Sequence, residues 1–152
     1  MAEPVVDLGF YHCTRQPMGR VAVQLCQRAF AERQRLLVVG AADDLAALDR
    51  ALWVDDPGSF LPHGSAGGAD DAAQPILLSE TPDPANGARL LLLLGVGLPP
   101  DFAAFGRVLN LFDDGSPAHE RARADWRATG SRDGLRRSYW QQAARGWTKM
   151  DL

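Results

Sequence analysis

The sequence predicts a single-domain α/β fold, a mostly parallel sheet covered by helices, and three observations lead there. Residues 90–94 are five consecutive leucines between Arg89 and Gly95, with no polar residue alternating among them. A strand with one wet face alternates, whereas a strand covered on both faces does not. The run is far short of the roughly 20 apolar residues that cross a bilayer. Leucine is a weak strand former, so a buried helical turn competes with this assignment. Asn86-Gly87 before the run and Gly95, Gly97, Pro99 and Pro100 after it favour a strand. Residues 36–39 form a second short apolar run, ended by Gly40. Segments with helical spacing alternate with these runs, and helix then strand is the rhythm of α/β proteins.

At 152 residues the chain is long enough for one domain with a substantial core. Its 46% hydrophobic and 23% charged content are ordinary for a soluble globular protein. A net charge of −3 offers no general attraction to polyanions, so bulk nucleic-acid binding is disfavoured. The N-terminus has no basic, long-apolar signal pattern, so the expected location is cytoplasmic, with no membrane partner. Cys13 and Cys26 are too few for a disulfide framework and read as small buried hydrophobes.

The elements are taken in chain order. Residues 5–11 read as the first strand, with Gly9 marking a bulge or a close backbone approach. His12 and Cys13 invite a metal or nucleophile reading, but no ligand set of zinc spacing accompanies them, and a structural role is preferred. Pro17 suits the first turn of a helix. Val21, Leu25, Cys26, Ala29 and Phe30 recur at helical spacing up to about Gln34. Asp43 and Asp44 suit the start of a second helix with a stripe of Leu45, Leu48 and Leu52, ending near Trp53. The loop after it places Trp53, Phe60 and Leu61 beside Pro57 and Pro62. It is either folded over its own aromatics or a partner-docking patch.

Residues 65–73 read as a mobile loop, residues 75–78 as a short strand, and residues 79–87 as a turn region. After the leucine strand, Pro99-Pro100-Asp101 opens a helix or a short turn. Phe102, Phe105, Val108 and Leu109 have helical spacing, although residues 108–112 also fit an edge strand. Asp113-Asp114-Gly115 is a turn. Ser116 and Pro117 suit N-cap and N1 of a last helix reaching about Thr129, with Glu120 giving a capping-box-like pattern.

In an acidic protein that last helix reverses the sign. It carries Arg121, Arg123, Trp126 and Arg127, and Arg132, Arg136, Arg137, Tyr139 and Trp140 come after it. Residues 117–150 therefore read as a C-terminal basic helix and tail. Arg123 and Arg127 are spaced i, i+4 and share a face, with Trp126 beside them. One reading is a solvated helix whose arginines pair with Glu120 and Asp125. The other is a site for an anionic ligand, planar guanidinium donors next to an aromatic wall.

Several chemistries lack their motifs. There is no P-loop, no Gly-x-Ser-x-Gly and no His-x-x-Glu or Glu-x-x-His pair. His12, His63 and His119 lie far apart, so any cluster would have to be gathered by the fold. No cofactor or metal is expected.

The landmarks together resemble the chi subunit of the bacterial DNA polymerase III clamp-loader complex. Phe10-Tyr11-His12 ends the first strand, and Ala51-Leu52-Trp53 is followed by Ser59-Phe60-Leu61-Pro62-His63-Gly64. Late in the chain come Arg123-Ala-Asp-Trp126-Arg127 and Tyr139-Trp140-Gln141-Gln142. The resemblance spans almost the whole chain and implies a Rossmann-like domain with no catalysis of its own, a subunit that works as a replisome adaptor. It further implies binding to the acidic C-terminal tail of single-stranded-DNA-binding protein through Arg123, Trp126 and Arg127, with Phe112 and His119 nearby. His119 stands where many relatives carry lysine. Trp53, Pro57, Phe60 and Leu61 fall where family members dock the psi subunit or an alternative helicase partner, and DNA is met only indirectly. The alternative is a nucleotide- or nucleic-acid-processing α/β enzyme or a helicase accessory protein, which should bind nucleotide or metal at the C-terminal ends of the strands. Direct binding of single-stranded DNA by the Arg/Trp helix is permitted by its charge and opposed by the overall acidity.

Overall fold

The computed structural model describes residues 5–54 and 61–152. The strands are β1 (Val6–Cys13), β2 (Leu36–Gly40), β3 (Gly64–Ser65), β4 (Ile76–Ser79), β5 (Leu90–Leu94), β6 (Arg107–Asp113), β7 (Leu135–Gln142) and β8 (Trp147–Met150). The helices are α1 (Met18–Ala31), α2 (Ala42–Val54) and α3 (Pro117–Ala128). All eight strands join one sheet in the order β3-β4-β2-β5-β6-β1-β7-β8, every pair parallel except β7 with β8. This is the α/β, Rossmann-like arrangement expected from the sequence. Among the described residues no helix is long and apolar enough to cross a membrane.

The leucine run is a central strand, and its side chains divide between two cores. Leu90, Leu92 and Leu94 pack on one face with α1 and α2, while Leu91 and Leu93 pack on the other with α3 and the turn around Phe102. A period of two places successive side chains on opposite faces, so only an unbroken apolar run can fill both.

Several expectations are corrected. Residues 108–112 are not an edge strand. They lie in β6, between β5 and β1, and Val108, Asn110 and Phe112 are buried on the α3 face. Of the two alternatives after Pro99-Pro100-Asp101, the short turn is the one formed, a single 3₁₀ turn at Phe102–Ala104. Pro17 occupies the N-cap of α1 with extended backbone, one position before the first turn. In α1 the buried stripe takes Ala22 and Val23, and Phe30 stays 38% exposed. Ser65 belongs to β3 and Asp71–Ala73 form a 3₁₀ turn, with the Asp71 carboxylate accepting from the Gly67 and Gly68 N–H groups at 2.9 and 3.0 Å. That segment therefore carries local hydrogen bonds of its own. The basic helix ends at Ala128, and the chain beyond it is not a tail: it forms β7 and β8, which extend the sheet past β1.

At the start of α3, Ser116 is the N-cap, and its hydroxyl accepts from the His119 N–H at 3.2 Å. Glu120 lies one position too late for the reciprocal half of a capping box. The Ser116 N–H donates instead to the Asp113 carbonyl at 3.3 Å.

Candidate functional site

The C-terminal ends of β1 and β7 meet the first turns of α3 on the face away from α1 and α2. β6 leads into α3 through the turn Asp113-Asp114-Gly115, where Gly115 holds φ at 70°, a conformation glycine adopts without steric cost. This tight return sets α3 across the sheet. Its Ala122 is buried against the sheet, and Trp126 reaches Phe10 and Tyr139, edge-on at centroid distances of 5.2 and 5.6 Å.

A cleft of about 430 Å³ opens beside this packing. Arg123 and Arg127 form its charged rim. Trp126, Tyr139 and Met150 line its apolar side, and His12, His119 and Gln141 lie at the strand ends. Among the described residues, no carboxylate pairs with Arg123 or Arg127, and the Arg127 Nε–H donates to the Arg123 carbonyl at 3.4 Å. The helix arginine that does pair locally is Arg121, 3.8 Å from Asp125, on the side where both brace the backbone of Leu98. The two readings of the helix thus divide between residues. Arg121 belongs to a locally satisfied face, and Arg123 with Arg127 to a cationic edge over an aromatic floor.

The fold gathers two histidines that stand 107 positions apart. The His12 and His119 rings are 4.2 Å apart at their centroids, and both stack on Phe112, at 5.4 and 5.5 Å. His12 Nε2 lies 2.8 Å from the Asp114 carboxylate, so it carries the proton and donates. His119 Nδ1 accepts from the Gly115 N–H at 3.1 Å, which leaves the ring proton on Nε2 in the neutral form. Burial pushes the His119 pKa down, reinforced by His12 and Arg123, while Asp114 and Glu120 act in the opposite sense. Burial likewise raises the Tyr139 hydroxyl, and Arg123 opposes it. Among the described residues, His12, Asp114 and His119 offer atoms within 4.8 Å of one another and form a group that could hold a metal. Their donors are already engaged, His12 with Asp114 and His119 with the Gly115 N–H.

Of the residues singled out from sequence, Arg123, Trp126, Arg127 and His119 come together in this cleft. Phe112 does not line it. It is fully buried beneath the two imidazoles and supports them from behind. His12, Tyr139, Gln141, Met150 and Leu152 line the cleft without having been assigned to it. His12 and Tyr139 carried a sequence signal as parts of conspicuous motifs. Met150 and Leu152 carried none.

The second group is described only in part. Trp53 is 55% exposed at the end of α2, its ring 4.9 Å from that of His63. Leu61 is buried in the core under α2 and presents nothing to solvent. Pro57 and Phe60 lie outside the described residues. His63 anchors the returning chain, with Nδ1 2.8 Å from the Leu61 carbonyl and Nε2 2.9 Å from the Asp49 carboxylate.

A family model described as the DNA polymerase III chi subunit, HolC, matches residues 6–134. That match runs from the first residue of β1 to the turn before β7, and so includes all of α3. No curated protein matches the chain.

Proposed function

The chain belongs to the chi subunit family of DNA polymerase III, an accessory role in replication, and on that premise we propose that it is a non-catalytic adaptor for single-stranded-DNA-binding protein. In this reading the cleft beside α3 takes that protein's acidic C-terminal tail. The observation that carries it is the pair Arg123 and Arg127, without carboxylate partners among the described residues, set over the apolar side formed by Trp126, Tyr139 and Met150.

The chemistry is complementary. Such a tail ends in acidic residues, an apolar side chain and a free carboxylate. A guanidinium clamps the carboxylate with two parallel hydrogen bonds, the floor takes the apolar group, and the second arginine meets the acidic residues. Rim charges are screened over about 8 Å at physiological ionic strength, so the contact weakens with salt. A second contact, through the exposed Trp53 at the end of α2, links the adaptor to psi or a psi-like partner, or to an alternative helicase partner. Two weak contacts joined in one chain tether polymerase to coated template at high effective concentration. The protein then works at the replisome, in the cytoplasm, and meets coated DNA through its protein partner.

The test is a calorimetric titration with a peptide copying the last residues of the organism's own single-stranded-DNA-binding protein, at low and raised salt. The same peptide lacking its final residue is the control. Saturable, salt-sensitive binding is expected that needs the final residue and falls at least several-fold in Arg123→Ala. No saturation with the intact peptide, or equal binding of the shortened one, would overturn the reading.

A further inference from the structure

The opposite end of the sheet carries a second cationic surface, unconnected with the tail cleft. Arg33, Arg35, Arg89 and Arg107 line a cleft of about 470 Å³ at the N-terminal ends of β2, β5 and β6, and its other lining residues are uncharged. It continues through Gln34, Leu90 and Arg107 into a cleft of about 270 Å³ bordered by α1, Trp140 and Trp147. That one continues through Tyr11, Leu109 and Trp140 into a third, of about 300 Å³, over β1 and β7. The three form one track from the basic edge onto the sheet face.

The track has an aromatic floor because the helices stop short. α1 packs mainly on β5 and β6, and α2 on β2 and β4, which leaves Tyr11, Trp140 and Trp147 at the edge of α1 only partly covered. Tyr11 and Trp140 are paired across β1 and β7. The Tyr11 ring leans back over Gly9, where a Cβ would lie 2.6 Å from Tyr11 Cε2, so only glycine admits this pose. The Trp140 Nε1–H donates to the Ser138 hydroxyl at 2.9 Å and draws the indole back along its own strand. The two rings are parallel within 8°, 6.4 Å apart, with Trp147 edge-on to Tyr11 at 5.3 Å. All three are half-buried, leaving ring surface to solvent.

Charge decides what such a floor accepts. Two carboxylates border the track, and each is held by an arginine, Glu32 by Arg28 at 3.1 Å and Asp7 by Arg136 at 2.8 Å. Arg33, Arg35, Arg89, Arg107 and Lys149 pair with no carboxylate among the described residues. The overall charge of −3 does not cancel this patch, because exposed charges beyond about 8 Å are largely screened at physiological salt. Cations along a groove with flat rings between them match a phosphate backbone with unpaired bases.

We propose that this track binds a single strand of nucleic acid directly, with the arginines on phosphates and bases stacked on Tyr11 and Trp140. The stacking residues Tyr11 and Trp140 alternate along β1 and β7 with His12 and Gln141 of the tail cleft, so the two sites lie on opposite faces of the sheet. The chain can therefore touch a bare strand on one face while its tail cleft is occupied on the other. This inference does not rest on the tail reading.

The experiment is fluorescence anisotropy of labelled oligo-dT and oligo-rU strands, each about 20 nucleotides long, with the full chain at low and raised salt. At least one strand binds saturably, more tightly than a duplex of equal length, with affinity falling steeply as salt rises. Arg107→Glu and Trp140→Ala each weaken binding about tenfold, while Arg123→Ala leaves it unchanged. Arg33 sits at φ 57°, where glycine is unstrained, so Arg33→Gly lowers affinity without lowering the thermal midpoint and separates binding from folding. Failure of both strands to bind at low salt, full affinity in Arg107→Glu, or displacement of the strand by the acidic tail peptide would overturn the proposal.

Discussion

The guanidinium carbon of Arg137 lies 3.8 Å from the centroid of the Trp126 indole, and the same side chain donates to the Trp126 carbonyl and, at 3.3 Å, to the Thr129 hydroxyl. One residue of β7 thus holds both the aromatic wall of the cleft and the Trp126 carbonyl in the last turn of α3, where carbonyls lack helical partners. A cation at a helix C-terminus also complements the negative end of the helix dipole.

Arg137→Ala should therefore destabilise the fold although Arg137 is only half-buried. A partly desolvated cation–π contact and a charged hydrogen bond together correspond to about 1–3 kcal/mol. Urea denaturation reads this as a lower midpoint with an unchanged slope. Arg137→Lys keeps the charge but loses the planar fork, and should fall between the two. A midpoint equal to the parent's in Arg137→Ala would mean that the stacking contributes nothing.

His119 makes the stability of this end of the sheet depend on pH. Its folded-state pKa lies below the ordinary value of 6.5, through burial first and then the neighbouring His12 and Arg123. The unfolded chain consequently binds the proton more readily than the folded one. The stabilising contribution is complete above about pH 6.5 and is lost as the pH falls through the folded pKa. The thermal midpoint should decline on acidification below about 6.5, and His119→Gln, which keeps a polar side chain without a titrating ring, should flatten part of that decline. Parallel profiles for the two proteins would remove His119 as the source.

The fold was legible where one residue type had to satisfy two surfaces. Leu90–Leu94 feeds both cores, and an unbroken apolar run has few other homes. β7 was illegible for the opposite reason. Its sequence, Leu-Arg-Arg-Ser-Tyr-Trp-Gln-Gln, buries only Tyr139 fully, so it reads as a charged tail until β1 is set beside it. The cleft was half legible. Arg123, Trp126 and Arg127 share one helix, and their spacing alone puts them together. His12 and Met150 join them only through the sheet, and Arg137 reads as one more surface charge until the chain returns beneath Trp126. Phe112 lies buried beneath the two imidazoles rather than on the cleft wall, a distinction between lining and support that position along the chain does not carry.

The two cysteines read as buried hydrophobes, and their environment turns that into a reactivity prediction. Cys13 is 3% exposed and Cys26 fully buried, and burial pushes both thiols up to about 12, with Asp113 adding to the effect at Cys13. Thiolate, not thiol, is the nucleophile, so at pH 8 roughly one thiol in ten thousand is reactive even before access is considered. Native protein should resist iodoacetamide at pH 8 over a time in which urea-unfolded protein takes up two adducts, counted by intact mass. Because Cys26 faces the core from α1 and Cys13 sits at the sheet end, any labelling under mild denaturant should reach Cys13 first. Prompt modification of Cys26 in the native state would show that α1 opens from the sheet far more readily than its buried stripe implies.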